Sequence, residues 1–287
     1  DKLKRTLESL NLDGYSVAVS RVKKSGLDAC DFAVNLDAEH ENHDHDMTYL
    51  HGKEAAVKVQ GHHGHGHEHG EGAHTHTHSH GHIHGEEAHT HDHGHIHEEG
   101  HHHGHSHRGL PEILEILRSS DMTDRAKEIA ERIFRILGEA EAKAHGVSLD
   151  EVHFHEVGAV DSIVDIAAAA ICLDDLGIRE VIIPVLYEGS GYIRCQHGVI
   201  PVPVPATLNI VSDYHLRLHK TDTMGEFVTP TGAAVAAAVC TSRELPEYYR
   251  VDKIGLGAGK RAYERPSLLR AMLITPEDKM KSASLWN

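Results

Sequence analysis

Apolar positions change their spacing several times along the chain, and each change marks an element. Residues 1–10 read as the end of a helix, with 11–14 as its stop. Residues 15–22 and 29–36 alternate apolar and polar side chains, which predicts two strands; the Ser25-Gly26 pair between them is a hairpin signal. Two helices are predicted after residue 108. The first is short, at 111–117. The second starts near Asp121 as N-cap, with Asp124 in its first turn. Ala126, Ile129, Ala130, Ile133, Leu137, Ala140 and Ala144 form its apolar stripe, and Gly146 ends it. Ser148 and Glu151 have capping-box spacing. Residues 159–176 are again helical, closed by Gly177. A β-branched run at 179–187 predicts a strand, and 192–195 another. Pro201, Pro203 and Pro205 force an extended chain. A short helix at 206–211, weak alternation at 214–219, a helix of small residues at 231–240 and strands at 251–259 and 268–274 complete the reading. Alternating strands and helices predict an α/β or α+β fold, with layered helices and a mixed sheet.

Residues 40–107 break this patterning. They hold 25 of the 31 histidines, with eleven Asp or Glu and two Lys, a net charge of −9 within a chain total of −16. Large apolar residues are nearly absent from 61 to 107, so that stretch is predicted to be disordered. The division expected is 1–39 as the first part of a folded domain, 40–107 as a His-rich insertion, and 108–287 as the rest of the folded domain.

The acidic balance argues against nucleic acid and anionic membranes as partners. The longest apolar stretches, 163–173 (interrupted by Asp165) and 232–240, fall well short of the roughly 20 residues of a membrane span. Cys30, Cys172, Cys195 and Cys240 lie far apart with no CxxC, which fits a reduced, cytoplasmic protein.

The insertion points to metal. Neutral imidazole binds Ni, Zn and Cu, and His74, His76, His78, His80, His82 and His84 repeat a His-x-His chelating step. Irregular mixing with Glu, Asp, Thr and Ile, inside the chain, argues against a purification tag. A neutral insertion of biased composition is the other reading. Composition does not choose among the metals.

Four constellations outside the insertion carry candidate chemistry. His153, His155, Glu156, Asp161 and Asp165 crowd five ligand-capable residues into thirteen positions, with Gly158 marking a bend. The two imidazoles share a face if extended, and the two aspartates share a face of the following helix. This set suits a borderline dication; a capped helix start with exposed carboxylates is the alternative. The run from Gly189 to Gly198 offers Arg194 for an anion and Cys195 or His197 for a metal, or is simply a glycine-rich turn. Thr229-Pro-Thr231-Gly232 stands before a helix, where good capping and phosphate binding are both possible. Gly255-Leu-Gly-Ala-Gly-Lys-Arg261 is not a P-loop, because Ile254 and Arg261 occupy its obligatory Gly and Ser/Thr positions.

Taken in order, these blocks resemble a known family. His153-Phe-His155-Glu156-Val-Gly158-Ala-Val-Asp161-Ser-Ile-Val-Asp165-Ile166 is similar to the most distinctive signature of the LarC family. The Gly189-Ser-Gly191 block with His197-Gly198 and Pro201-Val-Pro-Val-Pro-Ala-Thr207 resembles its second signature. Thr229-Pro-Thr-Gly-Ala233, and residues 255–259 with Arg265-Pro-Ser-Leu-Leu-Arg270, resemble the third and fourth. A His-rich insertion at this place is typical of many members.

The resemblance implies insertion of nickel into the pyridinium-3,5-bisthiocarboxylic acid mononucleotide cofactor of lactate racemase. It implies a lyase-type metal insertase driven by CTP with a divalent cation, a homo-oligomer, and lactate racemase apoprotein as a partner. It also implies a strand and a Ser-Gly-Asp turn before Asp1, and a CTP-binding domain after the last strand. For the site, the residues themselves supply the candidates: His153, His155, Glu156, Asp161 and Asp165 for nickel, with His197 as a further ligand, His155, Glu156 and Asp161 for the reaction, and Arg194, Thr229, Thr231 and Gly232 for the mononucleotide phosphate. A nickel storage protein or metallochaperone using only the insertion is the main rival, and a metallohydrolase built on the first constellation a third reading.

Overall fold

The computed structural model describes residues 2–37, 50, 108–152, 159–195 and 197–277. Helix α1 (Lys2–Glu8) leads into a hairpin of β1 (Tyr15–Lys24) and β2 (Leu27–Leu36), paired antiparallel from Tyr15↔Leu36 to Lys24↔Leu27. Helices α2 (Leu110–Ser119), α3 (Asp124–His145) and α4 (Val160–Asp175) follow, with a single 3-10 turn at Leu149–Glu151 between the last two. The second half holds β3 (Leu186–Ser190), β4 (Tyr192–Cys195), β5 (Gly198–Pro201), α5 (Pro205–Asp213), β6 (Leu218–Met224), α6 (Pro230–Val239), β7 (Tyr249–Ala258) and β8 (Leu268–Pro276). The architecture is mixed α/β. The largest sheet has the order β1-β2-β7-β8 and joins the antiparallel pairs β1–β2 and β7–β8. Their junction is one parallel pairing, Cys30↔Gly257.

The core lies between that sheet and the helices. Tyr15, Val17, Phe32, Val34 and Leu36 from the first hairpin pack on the helical cluster, whose fully buried members include Ile113, Leu117, Ile133, Phe134, Leu137, Ile163 and Ile166. α3 runs through the middle because its stripe serves neighbours on several sides: α2, α4, α5 and α6 all pack on it. Its start is Thr123, not Asp121 as expected. The Thr123 hydroxyl accepts the Ala126 N–H at 3.2 Å and donates to Asp174 at 2.6 Å, so one side chain caps α3 and ties it to the end of α4. Gly146, at φ 68°, closes the helix in the left-handed conformation expected. Phe134 is fully buried at the centre of this helix. Replacing it with Ala is expected to cost about 3–5 kcal/mol in denaturant unfolding.

Two strand expectations need correction. Residues 179–187 form no continuous strand. Ile182 makes an isolated parallel bridge to Ser242, and regular pairing starts only at Leu186, beyond Pro184, where β6 supplies a partner. The weak alternation at 214–219 misses its strand by four residues, because Tyr214 closes α5 and β6 begins at Leu218. β5 was hidden by the proline-rich run beside it, yet pairs with β4 as a hairpin. Leu50, inside the 40–107 insertion, is buried beside Ile193, Val202 and Val204. The rest of that insertion, including His74, His76, His78, His80, His82 and His84, lies outside the described residues.

No helix among the described residues is long and apolar enough to cross a membrane. None of the four cysteines is in a disulfide.

Candidate functional site

Two acidic centres and one pair of imidazoles stand out in this frame. The first centre is the start of α4. His153, His155 and Glu156 lie outside the described residues. Asp161 and Asp165 stand one turn apart in the first two turns of the helix. Ala159 occupies the N-cap and offers no side-chain cap, so Asp161 supplies the negative charge that a helix start favours. Asp165 reaches the surface but has much protein packed around it. Desolvation, and then the Asp161 charge, push its carboxyl up to about 7, with Lys260 pulling the other way. Lys260, just past β7, forms an ion pair with Asp31 on β2. Three separate elements thus bring charge to this end of α4, and sequence spacing had identified only the aspartates. Among the described residues, no three His, Cys, Asp or Glu side chains are grouped closely enough to hold an ion.

The second centre is Glu188, a residue the sequence reading passed over. It is fully buried on β3 at a register shift between β3 and β6. Its Oε1 accepts the backbone N–H groups of Gly189 at 2.7 Å, Phe227 at 2.7 Å and Val228 at 3.2 Å. Oε2 has no hydrogen-bond partner among the described residues. Burial raises the Glu188 carboxyl above its ordinary range, against the pull of the three N–H groups and of Arg261.

Around Glu188, three of the sequence blocks meet. A Cβ on Gly189 would lie 1.9 Å from the Gly225 carbonyl oxygen, so only glycine lets these backbones approach. Gly225, at φ 121°, faces the Tyr263 ring in the same way. Arg261 pairs with Glu226 at 2.6 Å, and both side chains are largely buried. The Tyr263 hydroxyl donates to the Glu226 carbonyl at 2.7 Å, while its ring packs on Phe227 at 4.5 Å. Thr207, also fully buried, donates to the Val228 carbonyl at 3.1 Å.

The next turn begins α6. Thr229 is its N-cap, and its hydroxyl accepts the Gly232 N–H at 3.1 Å. Thr231 and Gly232 follow in the first turn, so the three residues assigned to a phosphate do share one helix start. The capping expectation holds as well, which means that an anion there competes with the Thr229 hydroxyl for Gly232.

Arg194 is exposed on β4, and His197 is exposed at the β4–β5 turn. The His197 ring lies against His145 at the end of α3, with centroids 4.7 Å apart. The residues missed from sequence are Glu188, Arg261, Tyr263, Lys260 and His145. Glu188 left one signal: a lone carboxylate between a β-branched apolar run and the Gly189-Ser-Gly191 block.

The family model described as nickel insertion protein matches residues 1–286. The chain is 47% identical over 274 residues to the pyridinium-3,5-bisthiocarboxylic acid mononucleotide nickel insertion protein of Alkaliphilus metalliredigens, covering 96% of this chain and 54% of that one. The protein of the same name from Acetivibrio thermocellus is 41% identical over 182 residues, 63% of this chain and 44% of its own. A putative nickel insertion protein of Myxococcus xanthus is 47% identical over 184 residues, 63% and 46% of the two chains. The chain therefore spans about half the length of the curated relatives it matches. No solved structure matches it.

Proposed function

Because this chain belongs to the nickel insertion protein family, we propose that it takes part in inserting nickel into the pyridinium-3,5-bisthiocarboxylic acid mononucleotide. The observation that carries the reading is the match along residues 1–286, supported by relatives named for that substrate.

Nickel is a substrate in this reaction. Two Ni–S bonds form to the thiocarboxylate sulfurs, and one Ni–C bond forms at a ring carbon whose proton must leave. The chain needs a place to gather nickel, a place to hold it loosely, a base for that proton and a grip on the phosphate. Residues 40–107 gather the ion. His153, His155, Glu156, Asp161 and Asp165 hold it where α4 begins. Two aspartates one turn apart on a helix with no side-chain cap suit a dication that must later be released. His155, Glu156 and Asp161 serve as the proton acceptors. Thr229, Thr231 and Gly232 at the start of α6, with Arg194, grip the phosphate.

For the whole protein, the reading includes CTP with a divalent cation as the driving co-substrate and lactate racemase as the enzyme whose cofactor is completed. It also includes a metal-inserting lyase class, a homo-oligomeric state and a cytoplasmic place of work. The domain division at 40–107 belongs to the same proposal.

Replacing His153 and His155 together with Ala is expected to abolish nickel transfer to the mononucleotide, read by product mass and absorbance, with circular dichroism unchanged. Unchanged transfer in that variant removes both residues from the mechanism.

A further inference from the structure

The His145–His197 contact joins elements far apart in the chain, and its ring separation is one that two imidazoles sharing an ion would have. An imidazole nitrogen sits about 2.0–2.1 Å from a bound zinc-like dication, and the ring centroid roughly another 1.1 Å behind it. Two rings on one ion therefore have centroids about 4.5–5.2 Å apart, for ligand angles from a right angle to tetrahedral. The observed separation is 4.7 Å, with ring planes inclined at 58°, so the rings are not stacked in parallel.

The surroundings favour a cation. His145 is the last residue of the 22-residue α3, whose carbonyl end carries partial negative charge. Glu141, one turn earlier, places Oε2 3.6 Å from His145 Nε2. At that distance the carboxylate adds negative charge beside the ring, which favours a cation there. His145 and His197 both lie at the surface, so an ion can arrive and leave.

We propose that His145 and His197 together form an exchangeable surface site for a divalent transition-metal ion, with Glu141 as the supporting carboxylate and water completing the coordination. The choice of nickel as the ion rests on the function proposed above; the pairing itself does not. The site is a docking point for the exchanging ion. Its two protein ligands make it weak enough to pass the ion on.

The test uses the full chain and nickel(II) sulfate alone. Diethylpyrocarbonate labelling is followed by mass spectrometry of the separate peptides carrying His145, His197 and His215, the last an exposed imidazole elsewhere on the surface. Nickel is expected to slow labelling of His145 and His197 with one shared midpoint, and to leave His215 unchanged at that midpoint. His197→Ala is expected to abolish protection at His145, and His145→Ala protection at His197. Protection of either residue that persists without the other overturns the proposal and reduces the contact to ring packing. So does an absence of protection up to nickel levels at which His215 itself responds. Nickel transfer to the mononucleotide, measured on the same preparations, separates the two claims. Transfer without paired protection removes this site and leaves the proposed function standing. Paired protection without transfer does the reverse.

Discussion

Glu188→Ala is expected to be among the most destabilising single substitutions in the chain. One carboxylate oxygen serves three backbone N–H groups that belong to two separate segments. Removing it leaves those donors buried with no acceptor from this side chain. At about 1–3 kcal/mol for each unsatisfied donor, the loss comes to roughly 3–5 kcal/mol after partial relaxation. That is a large share of the roughly 5–15 kcal/mol that holds a domain folded. Denaturant unfolding measures it directly. Glu188→Gln keeps a carbonyl oxygen for the same donors and is expected to stay within about 1 kcal/mol of the parent near pH 5.

The pH dependence separates the two forms of this carboxyl. Its pKa is raised in the folded state, so between the ordinary Glu value and the raised one the folded chain binds more protons than the unfolded chain. Stability linked to Glu188 is therefore complete below the ordinary value and is lost as pH rises through the raised one. Glu188→Gln lacks this loss and should gain on the parent as pH increases. A parent that gains on Glu188→Gln instead would mean that the N–H groups and Arg261 outweigh burial and hold the anion.

Asp161→Asn with Asp165→Asn is expected to reduce nickel transfer at least about a hundredfold. Even supporting groups outside the ligand set commonly contribute 10–100-fold to metal binding. The fold should survive the double change. Losing the Asp161 charge from the first turn of α4 costs under about 1 kcal/mol. Losing Asp165 removes a carboxyl that desolvation and its neighbour already disfavour as an anion. A retained melting transition with lost transfer is the expected pair of results. Lost transfer with lost structure would assign both residues to packing.

What could be read from the sequence depended on the range of the interactions concerned. α3 was legible because its stripe, its first-turn Asp124 and Gly146 are local signals that agree. β1 and β2 were legible from alternation. The phosphate-binding candidates at the start of α6 were legible as neighbours because one turn of helix holds them. Long-range pairing was not legible. Nothing in the spacing indicates that Gly189 meets Gly225, or that Arg261 pairs with Glu226. The glycine-rich run ending at Arg261 was tested only as a phosphate loop, and the structure gives Arg261 a different duty, as the buried counter-charge of Glu226. The misplaced strand at 179–187 shows the same limit, because before Leu186 its β-branched residues find only an isolated bridge to Ser242.

The central claim is that the folded part of the chain, through the start of α4, takes part in nickel transfer by the whole protein, with residues 61–107 serving only to gather the ion. The most direct test compares the whole protein with a form of it lacking 61–107. Both are given the thiocarboxylated mononucleotide, excess nickel and CTP, and the nickel-bearing product is read by mass. The expected result is equal product from both chains, and none from either once Asp161 and Asp165 are replaced by Asn. Product that needs residues 61–107 even in excess nickel, or that ignores the two aspartates, would contradict the claim and favour delivery by the His-rich segment.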